Sequence, residues 1–87
     1  MLPTPETVVE QQVANGLMTK EDAQRYLRNY WYFKSRREEI ERLFQDRIVA
    51  SVNGAIFVAY HLSVLKDMIK HEPHCDRGYI KEICSLF

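Results

Sequence analysis

The sequence predicts an all-α domain of three or four helices built on one long central helix over about residues 20–51. Three observations predict it. No glycine or proline interrupts the chain from Met18 to Asn53. Within that run Ala23, Tyr26, Leu27, Tyr30, Phe33, Ile40, Phe44 and Ile48 recur mainly at spacings of three, four and seven, the signature of one helical face. The whole chain of 87 residues holds three glycines and three prolines, too few for a loop-rich fold.

A first short helix is expected to begin at Thr4, whose hydroxyl can cap it. Pro5 then stands at the first helical position, where a missing N–H costs nothing, and Glu6 favours the positive helix end. Val8, Val9 and Val13 give it a thin apolar stripe, and Asn15-Gly16 ends it because both residues tolerate positive φ. Thr19 caps the central helix, with Glu21 and Asp22 in its first turn. Opposite charges at Lys34/Glu38, Arg37/Glu41, Glu38/Arg42 and Arg42/Asp46 support that helix by about 0.2–0.5 kcal/mol each.

Residues 47–60, RIVASVNGAIFVAY, admit two structures. Asn53-Gly54 between β-branched and aromatic residues is the strongest short hairpin signal, which gives an α+β alternative with a β-hairpin at 47–60. The helical corner is preferred because a lone two-stranded ribbon is marginal and no third strand is evident. Val58, Leu62, Leu65 and Ile69 then continue a helical face as far as Pro73. A last helix starts at Asp76 or Gly78, with Tyr79, Ile80, Ile83, Cys84 and Phe87 as its apolar face. The expected core is Ile40, Phe44, Ile48, Val58, Leu62 and Leu65.

Size and composition limit what such a chain does. Residues 1–87 make one small helical domain, 46% hydrophobic, which buries roughly 60% of the surface its unfolded form exposes. So small a core gives a reason to expect a second copy, as a homodimer. No window of 18 uncharged apolar residues exists and the N-terminus lacks a basic region followed by an apolar stretch, so the reading is cytoplasmic, with no membrane contact. Two cysteines, Cys75 and Cys84, are too few for a disulfide scaffold and are expected as thiols, Cys84 buried.

His71, His74, Cys75 and Cys84 are zinc-ligand types, but their spacing lacks the paired C-x-x-C or H-x-x-x-H arrangement, so no metal and no cofactor are predicted. His61, in mid-helix, is expected to be structural, and His71 to favour a helix C-terminus. The chain has no phosphate loop, no G-x-S-x-G and no H-E-x-x-H, and Glu38, Glu39 and Glu41 have basic partners at helical spacing. The expectation is therefore no enzyme and no small-molecule substrate.

Charge, balanced at 12 basic and 12 acidic residues, is uneven along the chain. Residues 1–22 carry −3, 23–37 carry +5 and 38–46 carry −3. The positive block, RYLRNYWYFKSRR, holds Arg25, Arg28, Lys34, Arg36 and Arg37 among four consecutive aromatics at 30–33. Four aromatics in a row point all round a helix, so some must cover a surface beyond the core, and Tyr, Trp and Arg dominate binding hot spots. This predicts docking on a protein partner or a second copy through Arg28, Tyr30, Trp31 and Tyr32, with the apolar end at Phe87 also docking. The alternative is nucleic-acid binding, with Arg25, Arg28, Lys34, Arg36 and Arg37 on phosphates and the aromatics stacked on bases. Flanking acidic blocks oppose a phosphate backbone along the helix and suit an antiparallel pairing of two copies, in which the +5 block of one meets a −3 block of the other.

TKEDAQRYLRNYWYFKSRREEIERL, residues 19–43, resembles the opening helix of small phage-encoded regulators of the RinA type. Members of that type carry a comparable L-x-x-Y-x-x-x-K-x-x-I-E-x-L texture. It covers under a third of the chain and no helix-turn-helix follows it. What it implies is a regulatory protein of phage or mobile-element origin, with no functional residue carried over.

Overall fold

The structure, a computed structural model, describes residues 4–84. It is α+β. Helices α1 (Pro5–Ala14), α2 (Lys20–Ser35) and α3 (Arg37–Leu43) precede strands β1 (Arg47–Val52) and β2 (Ala55–Ala59). Helix α4 (Leu62–Ile69), a 3₁₀ turn (Cys75–Arg77) and strand β3 (Tyr79–Ile83) complete the order. The strands form an antiparallel sheet in the order β2-β1-β3.

The first two helix starts follow from local chemistry as expected. Thr4 accepts from the Thr7 N–H at 3.2 Å and Thr19 from the Asp22 N–H at 3.1 Å. Asn15 closes α1 and Gly16 turns left-handed at φ 73°. The long helix over 20–51 is overturned. Arg36, at φ −118° and ψ 14°, leaves helical geometry and splits the run into α2 and α3, and Asp46 at φ 60° then turns the chain into β1. The apolar spacing spans the break because Phe33 and Ile40 fill one cluster from two successive helices. Of the expected ion pairs, Arg37–Glu41 is made at 3.0 Å, whereas Lys34 turns back over the Tyr30 ring.

The helical corner at Asn53-Gly54 is also overturned. Both residues have positive φ, 52° and 76°, the requirement of a two-residue type I′ hairpin, and Val52 pairs with Ala55 across it. The ribbon is not alone, because Tyr79–Ile83, expected as a helix, is a strand on the other side of β1. Its alternation explains the difference: Tyr79 and Ile83 join the cluster under α2 while Ile80 and Glu82 turn to the opposite face, where they stand exposed at the margin of the sheet. The helix expected through Pro73 shrinks to α4, and His61 stands exposed just before it. Cys84 is exposed after β3 instead of buried, and Phe87 lies outside the described residues.

The sheet is sandwiched. On one face Val49 and Ile83 pack with Phe33 of α2 and Ile40 of α3; on the other Ala50, Val52 and Ala59 pack with Leu65 and Ile69 of α4. Among the expected core residues Ile40 and Leu65 are buried and Phe44, Ile48 and Val58 are half-buried, but Leu62 is 41% exposed. Helix α1 lies against α2, with Val9 buried near Ala23.

Gly78 makes the entry into β3 possible. A Cβ there would stand 2.6 Å from Val52 Cγ2 and 3.3 Å from the carbonyl oxygens of Cys75 and Ser51. Val52 is fully buried and branched at Cβ, so it has little room to yield. Gly78→Ala is expected to destabilise the fold by about 1–3 kcal/mol in urea denaturation. An unchanged midpoint would show that this crossing has slack.

Candidate docking face

Helix α2 buries one side against the sheet, and the residues that remain set the candidate surface. Ala23, Asn29 and Phe33 are buried, while Tyr26 and Tyr30 lean on Tyr79 of β3 with ring centroids 6.2 and 5.0 Å apart. Burial pushes the Tyr26 and Tyr79 hydroxyls above the usual phenol range. Tyr30, expected on the docking face, is thus largely a core-supporting ring.

Arg25, Arg28, Tyr32 and Arg36 follow at spacings of three and four, forming a stripe beside the buried side. With Asn29 and the hairpin turn at Asn53 and Gly54, the first three line a cleft of about 410 Å³. Arg28 and Tyr32 also border an open groove of about 730 Å³ with Gln24, Leu27 and Trp31. Trp31 is 51% exposed, yet its ring has partners on two helices. Its indole N–H donates to the Glu6 carboxylate of α1 at 2.9 Å, and its ring meets Tyr30 edge-on at 5.1 Å. Three of the expected docking residues, Arg28, Trp31 and Tyr32, therefore share one face.

The basic residues are less available than their sequence suggests. Arg25 is paired with Asp22 at 2.8 Å and Arg37 with Glu41. Lys34 lies over Tyr30 and Arg36 over Tyr32, at 5.4 and 4.9 Å from the ring centroids. Lys34, Arg36 and Arg37 border an open depression of about 660 Å³ at the α2–α3 junction, and Glu38 and Glu39 share it. Arg28 is exposed, with no ion pair or ring contact among the described residues. Asp22 also faces Arg77 at 3.4 Å. Desolvation raises its carboxyl, but the Arg25 and Arg77 guanidinium groups outweigh that and hold it below the usual carboxylate value.

Asn29 underlies this face and was not among the expected site residues. Its amide donates to the Arg77 carbonyl at 3.0 Å, its side-chain oxygen accepts from the Asn53 N–H at 2.9 Å, and its own carbonyl accepts from the buried Ser51 hydroxyl at 2.7 Å. Asn53 in turn donates to the Pro73 carbonyl at 2.9 Å. These bonds fix the hairpin turn as one wall of the cleft. The signal was present in the sequence: Asn29 stands three after Tyr26 and four before Phe33, on the inward side of the helix.

Among the described residues no three His, Cys, Asp or Glu side chains converge as a metal site, and no helix is long and apolar enough to cross a membrane. No protein-family model, curated protein or solved structure matches the chain.

Proposed function

We propose that the protein is a small, non-enzymatic, cytoplasmic regulatory module that docks the outer face of α2 onto a protein partner. A phage or mobile-element origin accords with the RinA-type resemblance of residues 19–43. The observation that carries the reading is Trp31, a large side chain half in solvent but tethered to α1, beside the Arg28 guanidinium, which has no ion pair among the described residues. An exposed aromatic whose orientation is already fixed loses little freedom on binding, and Trp and Arg are the side chains most often found as binding anchors.

The nucleic-acid alternative is less well supported. Four of its five basic residues are engaged by acids or rings, and acidic side chains share the α2–α3 depression. Phosphate contacts need several free cations acting together.

The two readings separate in a capture experiment on host lysate, with the immobilised wild-type chain beside Trp31→Ala and Arg28→Ala variants checked for folding by circular dichroism. Docking predicts a protein retained by the wild type, resistant to nuclease and moderate salt, with affinity reduced roughly thirtyfold in each variant. Equal retention by all three chains would remove the α2 face from consideration. Material released by nuclease, or by a modest increase in salt, would favour the phosphate reading.

A further inference from the structure

We infer that the open edge of β2 is a self-association site at which two copies of the chain join their sheets antiparallel. The reading does not rest on the α2 docking face. Val52 and Ala55 flank a two-residue turn and so form a hydrogen-bonded pair. Alternation from there points the N–H and C=O groups of Ala55, Phe57 and Ala59 at β1, and those of Ile56 and Val58 outward. No strand among the described residues covers that edge.

Strand edges are normally protected by lysine, proline, an internal charge or a bulge. The other edge strand, β3, carries Lys81 and Glu82. Strand β2 reads AIFVA, without charge or proline, and its register with β1 runs unbroken from Ala55 to Ala59.

The sequence of β2 is complementary to itself. A two-fold axis at Phe57 sets Phe57 opposite its copy, Ile56 opposite Val58 and Ala55 opposite Ala59, with apolar residues at every pair. The outward groups of Ile56 and Val58 then meet as hydrogen-bonded pairs, and Phe57 meets its copy as a non-hydrogen-bonded pair. The same operation on β3, centred on Lys81, would oppose two lysines.

Helix α4 extends the surface. It packs on β2 and β1 through Leu65 and Ile69. The short link from Ala59 to Leu62 sends α4 back along β2, and in a right-handed helix running that way Val64 and Met68 face the flank beyond β2. Those residues are 50% and 44% exposed. Across the two-fold axis the two α4 helices lie side by side and antiparallel, each covering the other's Val64 and Met68. Both α2 helices lie on the opposite face of the joined sheet, so the pairing presents two docking faces on one side.

Sedimentation equilibrium of the full chain tests this together with disulfide trapping. The wild type is expected to dimerise in the micromolar range, and Trp31→Ala, away from the edge, to dimerise equally. Val64→Glu, at a half-exposed position, is expected to keep the monomer fold by circular dichroism and to weaken the dimer at least about tenfold by opposing charges across the axis. In a Cys75→Ser/Cys84→Ser background, Phe57→Cys should form an intermolecular disulfide and Ile80→Cys should not, because non-hydrogen-bonded partners approach within disulfide reach. A monomer at high micromolar concentration, including one that instead takes up an extended peptide along β2, overturns the proposal. So does a dimer indifferent to Val64→Glu that fails to cross-link at position 57.

Discussion

Phe33→Ala is expected to lower the free energy of unfolding by about 3–5 kcal/mol. The ring is fully buried and shares a cluster with Ile40, Val49 and Ile83, and its centroid lies 5.2 Å from that of Tyr79. It therefore joins α2, α3, β1 and β3 at one point. Truncation removes the transfer energy of the ring and leaves a cavity whose walls belong to four elements, which cannot all close on it together. A chain of this length has a total stability of roughly 4–13 kcal/mol, so the variant stands near the limit of folding. Urea denaturation followed by circular dichroism measures the loss. A loss below about 1 kcal/mol would mean that Phe33 is not the point on which the upper half of the sandwich closes. Leu65→Ala, on the other face of the sheet and also fully buried, provides the comparison, because it removes packing beneath α4 without touching the α2 cluster.

How much of this fold was legible depended on whether local or distant residues decide each element. Thr4, Pro5, Asn15-Gly16 and Thr19 act through hydrogen bonds and φ preferences within a few residues, so α1 and the start of α2 could be read directly. The end of α2 could not. No glycine or proline marks Arg36, and its departure from helical geometry serves Phe33 and Ile40, whose common target includes a strand still ahead in the chain. The hairpin signal at Asn53-Gly54 is local and strong, but a ribbon of two strands is marginal without a third. That strand, Tyr79–Ile83, is five residues long and has a lysine and an isoleucine opposite to the usual pattern. Lys81 lies on the α2 side between Tyr79 and Ile83, and Ile80 lies on the exposed side. An edge strand tolerates that because its margin reaches solvent, but the irregularity conceals period two.

The candidate face was legible in part for the same reason. Arg28, Trp31 and Tyr32 share a face because helical spacing alone places them together. Tyr30 was drawn inward by Tyr79, a partner 49 positions away that no helical wheel includes. The cleft itself needs the hairpin turn as its second wall, and a helical 47–60 has no such turn.

Asn29→Ala is expected to cost about 2–4 kcal/mol and to loosen the cleft at the same time. The asparagine is 4% exposed and serves two main-chain groups from different elements, the Asn53 N–H of the hairpin turn and the Arg77 carbonyl of the 3₁₀ turn. Losing the side chain forfeits both bonds, and a partly buried N–H and C=O left unpaired carry a desolvation penalty of about 1–3 kcal/mol each. Asn29→Asp provides the control. It keeps an acceptor for the Asn53 N–H but opposes the Arg77 carbonyl with a second acceptor, so it should recover the hairpin contact and not the 3₁₀ contact. Amide hydrogen exchange separates the consequences. In Asn29→Ala the Asn53 amide and those of the hairpin should lose protection, whereas in Asn29→Asp the Asn53 amide should stay protected while the segment near Arg77 exchanges faster. Uniform loss across the sheet in both variants would mean that Asn29 stabilises the fold as a whole and does not hold the turn specifically. The distinction bears on function, because a hairpin turn released from Asn29 no longer supplies a fixed wall beside Arg28 and Tyr32. On the proposed docking role, partner affinity should then fall in Asn29→Ala under conditions where the fold is still fully populated, although residue 29 itself is buried beneath the candidate face.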